Sequence, residues 1–137
     1  DYRFKGCFMI TIGKASELSG VVIETIRYYE REGIVSQPDR SASGRRIYTK
    51  VEVDNLRFIR RCRDMGLPVS QAKSLLTLTE QRDISCKSAQ DIASHHMKEI
   101  NSKISELQSV ESALKKMIEQ CQSESKKCPI LDELLSD

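Results

Sequence analysis

The sequence predicts a mainly α-helical chain, with a winged helix-turn-helix unit in front of a long coiled-coil helix. Three observations predict it. Residues 11–33, TIGKASELSGVVIETIRYYEREG, carry two short helical patterns around a Ser-Gly break. A Pro/Ser/Gly loop between short apolar pairs follows at 34–48. Residues 88–121 then hold neither Gly nor Pro, and their apolar residues step by 4 and 3.

Composition bounds what such a chain does. Its 137 residues suffice for one domain or two small ones, and 39% apolar residues support a modest core. Trp is absent and aromatics are 5%, which argues against an aromatic-lined pocket for a small organic ligand. No apolar run approaches the roughly 20 residues of a membrane span. The opening DYRFKGCF lacks the apolar stretch and cleavage site of a signal peptide. Met9 precedes the first patterned segment, so residues 1–8 are expected to be an added or upstream extension. Net charge is +2, unevenly spread: 13 Lys/Arg against 8 Asp/Glu over residues 1–63, then 9 against 12. A basic front and an acidic back point to a nucleic-acid face joined to something else, or else to an ordinary solvated surface.

The first helix presents Ala15 and Leu18 to a core, and Ser19-Gly20 breaks it. The second restarts at Glu24, with Ile23 and Ile26 inward and Thr25, Arg27 and Tyr28 outward, and Gly33 is its stop. Ile34-Val35 and Ile47-Tyr48 read as short strands of a hairpin, or wing, that carries Arg40, Arg45 and Arg46. Three arginines beside a helix-turn-helix suit phosphate contact, against the plainer reading of a polar surface loop. Residues 50–63 form an arginine-rich helix with Val53, Leu56, Phe58 and Ile59 inward and Cys62 buried or half-buried. Met65-Gly66-Leu67-Pro68 is a break. Residues 69–79 make a further helix, with Ser70 as its expected N-cap. The domain expectation is an extension at 1–8, a DNA-binding domain with connector helices at 9–80, and a dimerisation and metal-binding part at 81–137.

In the long segment the seam runs Ala93, Met97, Ile100, Ile104, Leu107, then across Glu111 to Leu114, Ile118 and Cys121. That is a heptad pattern, and a lone helix cannot bury it. It pairs with a second copy, or packs within its own chain. The tail PILDELLSD places Ile130, Leu131, Leu134 and Leu135 on a short amphipathic helix expected to pack back over the preceding loop.

Five cysteines are present: Cys7, Cys62, Cys86, Cys121 and Cys128. An odd number without a secretory signal favours free thiols in a reducing cytoplasm. Cys7 is given no role. Cys86 and Cys121 are five heptads apart, roughly 50 Å along one helix at 1.5 Å per residue, so they cannot share an ion within a chain. In an antiparallel pair, Cys86 of one protomer meets Cys121 and Cys128 of its partner, which makes two three-thiolate sites. Thiolates select soft or borderline ions, and three of them suit a divalent ion. His95 and His96 read as surface or interface histidines, with His96 the candidate fourth ligand. No Ser/His/Asp set, paired-carboxylate site or phosphate-cradling glycine loop appears, so an enzyme is not expected.

The stretches TIGKASELSGVVIETIRYYEREGI, GRRIYTK, FIRRCRDMGLPVSQAKSLL and CPIL together resemble the MerR family of metal-responsive transcription regulators, over residues 9–135. The resemblance implies a winged helix-turn-helix domain, a helical connector and a long antiparallel dimerisation helix. It implies DNA contacts, mostly to phosphates, by Lys14, Thr25, Arg27, Tyr28, Arg45, Arg46 and Tyr48. It implies sensor thiols at Cys86, Cys121 and Cys128. A cysteine at 86, where the monovalent-ion branch usually has serine, suits a divalent sensor. The six-residue spacer QSESKK resembles cadmium and lead sensors first, then mercury, then zinc. A homodimer on a palindromic operator, distorting promoter DNA for RNA polymerase when metal binds, is the implied mechanism. Competing expectations are a thiol-redox regulator of the same fold, a metal buffer without DNA binding, and a ligand-sensing regulator. The last would need a further C-terminal domain.

Overall fold

The computed structural model describes residues 9–81, 86–121 and 127–137. The expected extension at 1–8, with Cys7, and residues 122–126 of the expected polar loop lie outside these. Six helices and one two-stranded hairpin are found among the described residues: α1 Ile12–Ser19, α2 Ile23–Arg31, β1 Asp39–Arg40, β2 Arg46–Ile47, α3 Lys50–Asp64, α4 Val69–Thr79, α5 Cys86–Gln120 and α6 Pro129–Leu135. Two compact units divide at Ile92/Ala93.

In the first unit, Thr11 caps α1, its side chain accepting from the Lys14 amide at 3.3 Å. The helix ends because Gly20 takes φ 75°, where its amide returns to the Ser16 carbonyl at 2.9 Å. A side chain at that left-handed position would be strained, and its Cβ would also meet the Arg60 guanidinium. The turn leads into α2, whose inner face buries Ile26, Tyr29 and Glu30.

The wing is shorter than the sequence suggests. Asp39 pairs with Ile47 and Arg40 with Arg46, antiparallel. Tyr48 forms a separate bridge to Ile10, with two backbone bonds of 2.9 Å. Ile34 and Val35 are not a strand. Their amides bond the Tyr29 carbonyl at 2.8 and 3.4 Å and close the end of α2, so no ladder partner is left for them.

A capping box starts α3: the Glu52 carboxylate accepts from the Thr49 amide at 2.7 Å. Val53, Leu56, Ile59 and Cys62 line its buried face, and burial raises the Cys62 pKa. Pro68, rather than Ser70, is the N-cap of α4. Proline supplies the extended entry, with ψ 151°, and places Ser70 already inside the helix. The core joins Ile26, Leu56, Ile59, Val53 and Tyr48, each at most 1% exposed, with Ala15, Ala72 and Leu76. Fully burying such a side chain contributes about 1.5–3 kcal/mol, so this small set suffices to hold the helices and wing together.

The second unit holds most of α5, followed by α6. No α5 residue is buried. Met97, Ile100, Ile104, Leu107, Leu114 and Ile118 are 41–63% exposed, which puts the predicted seam on the surface of a single protomer. α6 starts at Pro129, as expected of a proline at the first helical position. Leu131, Leu134 and Leu135 are exposed, so the expected packing-back of the tail does not bury them in one protomer. No helix is long and apolar enough to cross a membrane among the described residues.

Candidate nucleic-acid interface and thiol pair

A basic cleft of about 230 Å³ opens where α1, α2 and the wing meet, lined by Thr11, Ile12, Arg27, Arg40, Gly44, Arg45 and Arg46. Three separate pieces of chain bring these arginines together. Arg27 is exposed on α2. The hairpin turn places Arg45, with the Ser41 amide bonding the Arg45 carbonyl at 2.8 Å. Arg40 Nη1 donates to the Gly44 carbonyl at 2.8 Å and braces the same turn. Four guanidinium groups gathered in one cleft suit a phosphate backbone as occupant.

The other predicted contacts are placed as follows. Lys14 is exposed and lies 3.2 Å from Glu17 Oε1. Thr25 is half-buried. Tyr28 is 44% exposed, with the Arg31 guanidinium 5.8 Å from its ring centre. Tyr48 is different: it is 1% exposed, and its hydroxyl donates to Glu30 Oε1 at 2.5 Å. Burial, then the hydrogen bond and charge of Glu30, push its phenol pKa well above the ordinary range. A phenol so placed is a core group, and the expected phosphate contact by Tyr48 is corrected on that ground. Arg46 lies 3.1 Å from the other Glu30 oxygen.

Arg40, expected on the wing with Arg45 and Arg46, lines the cleft beside them. One further feature lies outside those expectations. A second basic cleft, of about 250 Å³, is lined by Leu18, Ser19, Arg57, Arg60, Arg61 and Asp64. Its signal was the arginine run of α3, and only the approach of α1 shows which of those arginines cluster.

The thiols fall in two places. Cys86 is exposed as the first residue of α5. Cys121 follows the last residue of the same helix, its amide bonding the Ile118 carbonyl at 3.1 Å. Cys128 is half-buried and caps α6. Desolvation, then the charge and hydrogen bonding of the nearby Cys128, raise the Cys121 pKa. Both are free thiols. Two adjacent, reduced, accessible sulfurs fit a soft ion. Among the described residues of one protomer no three His, Cys, Asp or Glu side chains come together as a metal-holding group. His95 Nε2 and His96 Nδ1 lie 3.1 and 3.7 Å from the Glu99 carboxylate.

Known proteins agree with this anatomy. Residues 10–79 match the family described as "MerR HTH family regulatory protein" and residues 53–117 the one described as "MerR, DNA binding". The regulator HmrR of Sinorhizobium medicae is 39% identical over 126 residues, 91% of this chain and 86% of its own. The crystal structure of PbrR691 from Ralstonia metallidurans in complex with lead(II) superposes with a TM-score of 0.81 at 29% identity, covering 92% of this chain and 99% of that one. MerR of Bacillus megaterium in complex with mercury(II) gives 0.73 at 28% identity, covering 93% and 100%. The match runs along nearly the whole chain, which belongs to the MerR family of transcription regulators and is not an enzyme.

Proposed function

We propose that this regulator is a metal-responsive switch that works as a homodimer on a palindromic operator and acts on RNA polymerase indirectly, through the shape of promoter DNA. The effector is a divalent soft ion: cadmium or lead first, then mercury, then zinc. The observation that carries the reading is the nearness of Cys128 to Cys121, felt in the raised Cys121 pKa, at the end of a helix whose apolar seam is exposed. On this reading two sulfurs come from one chain, and the seam supplies the surface on which a second copy brings the third. Cys86 of the partner protomer completes the set in an antiparallel pair. The lead(II) and mercury(II) complexes of the relatives support this class of effector.

In the mechanism, Lys14, Arg27, Arg45 and Arg46, with Arg40, hold backbone phosphates, and Thr25 and Tyr28 lie along the recognition helix. Metal supplies charge and a link between the two chains at the thiols. It acts only in so far as it binds the activating conformation more tightly than the repressing one. The DNA distortion costs on the order of 1–6 kcal/mol, which the phosphate contacts offset. The working compartment is the cytoplasm, where thiols stay reduced.

A panel of metals scored for induction of a reporter behind the protein's own promoter tests the reading. Induction by cadmium or lead, with a thiolate–metal ultraviolet band and proton release on binding, is expected. No induction by any soft ion would overturn it. The same nearness of the thiols favours one second reading, a redox regulator in which a hydroperoxide oxidises Cys121 and Cys128 to a disulfide and is itself reduced to water and an alcohol. Induction by hydroperoxide but not by metal in reductant separates the two. Retained metal binding without salt-dependent binding to promoter DNA would instead indicate a metal buffer.

A further inference from the structure

We propose that Glu30 is a positioning residue for DNA binding: it holds Arg46 through Nε, so that the terminal guanidinium nitrogens serve a backbone phosphate, and it fastens the wing to the recognition helix through Tyr48. The proposal rests on the reading of the arginine cleft as the DNA interface.

Glu30 sits on the inner face of α2, where it is 4% exposed. A carboxylate there costs free energy unless it is paired and hydrogen-bonded. Both of its oxygens are engaged, and both by the wing. Oε1 accepts from the Tyr48 hydroxyl at 2.5 Å. Oε2 forms an ion pair with Arg46 Nε at 3.1 Å and has no hydrogen-bond partner among the described residues, so Arg46 is the one group that compensates its charge there. Arg46 and Tyr48 are two positions apart, so they project to one side of the extended chain. One buried carboxylate therefore reads two successive inward positions of the wing and fixes its register on α2.

Arg46 is not consumed by this contact. Its side chain is 34% exposed, and it lines the cleft with Arg27, Arg40 and Arg45. A guanidinium is a planar fork, so holding it at Nε leaves the donors of both Nη atoms. A lysine has a single nitrogen and cannot face a buried carboxylate and an external phosphate from opposite ends. Pinning also removes most of the rotamer freedom that binding would otherwise have to freeze.

The test is fluorescence anisotropy on a duplex carrying the protein's own upstream promoter, titrated across salt concentrations. Glu30→Gln keeps an acceptor for Tyr48 and removes the charge opposite Arg46. It is expected to weaken binding roughly threefold to tenfold, the range for freeing one ordered side chain. Arg46→Ala should weaken binding and lower the salt slope by about one, and adding Glu30→Gln to it should change nothing further. Arg46→Lys should bind poorly, and Glu30→Gln on top of it should restore part of the loss by releasing the lysine. An equal loss from Glu30→Gln in the wild-type and Arg46→Ala backgrounds, or no loss in the wild type, overturns the proposal. Far-UV circular dichroism checks folding of each variant. Should Glu30→Gln not fold, Arg46→Lys decides: binding as tight as wild type sinks the fork argument, and binding as poor as Arg46→Ala upholds it. If the wild-type protein shows no salt-dependent binding at all, the DNA-interface reading falls. Intact wild-type binding with additive losses removes only the role of Glu30.

Discussion

Tyr48 shows how far a residue type can mislead. A tyrosine beside two arginines on a wing looks like a phosphate contact, yet here the ring fills the core and the hydroxyl is held by Glu30. Replacing it by phenylalanine keeps the packing and leaves Glu30 Oε1 buried without its donor. Tyr48→Phe should therefore lose about 1–3 kcal/mol of unfolding free energy, read from the denaturant midpoint. The same pair predicts a pH dependence. The folded pKa of Tyr48 is raised above its unfolded value, which is near 10 for a free tyrosine. Its contribution is fully present below about pH 10 and is lost as pH rises from there through the folded value, because the unfolded chain releases its proton first. The Tyr48→Phe variant should lack this alkaline decline in a pH series of melts. Cys121 and Cys128 are a different case: the chain brings them near enough for Cys128 to raise the Cys121 pKa, while the third thiol expected at Cys86 lies at the other end of α5.

At the scale of elements, helix stops were legible at Gly20 and Gly33, whose backbone freedom decides them locally. The starts were not: Thr11, Thr49 and Pro68 are the N-caps, and the expected Ser70 is not one. Thr11→Ala should cost about 1 kcal/mol, measured by thermal or chemical unfolding, since only its side chain meets the Lys14 amide in the first turn. The Ile34-Val35 pair was not legible. Apolarity marked it as a strand, but a carbonyl at the end of α2 claims both amides, and that competition is invisible in a hydropathy pattern. The seam of α5 was legible because a period of seven needs no tertiary information. Ile104 is 46% exposed in the protomer, and an aspartate there would put a charge in the middle of the proposed pair. Ile104→Asp should shift the protein from dimer to monomer in sedimentation equilibrium while the first unit keeps its helical signal.

The whole molecule poses a question that one chain does not answer. Cys86 begins α5 and Cys121 follows its end, so a site using both needs two chains. Cys86→Ser should abolish induction by divalent metal and leave operator binding intact in a gel shift. Mixed dimers of Cys86→Ser with Cys121→Ser should regain one site of the two, counted by metal titration. Zero regained sites would rule out an antiparallel shared site.

What the amino-acid sequence determined by itself was mostly periodic or local: the helix count, the break at Ser19-Gly20, the stop at Gly33 and the heptad seam. These depend on neighbours within a turn or two, or on a repeat that any reader of the chain can count. Only the tertiary structure decided which polar groups face inward. It turned Tyr48 and Glu30 into a buried lock, left Arg46 half outside, and gathered Arg27, Arg40, Arg45 and Arg46 in one cleft. The reason is physical: whether a charged or phenolic side chain is worth more buried than solvated depends on the partner that meets it, and those partners are separated by as many as 18 positions in the chain.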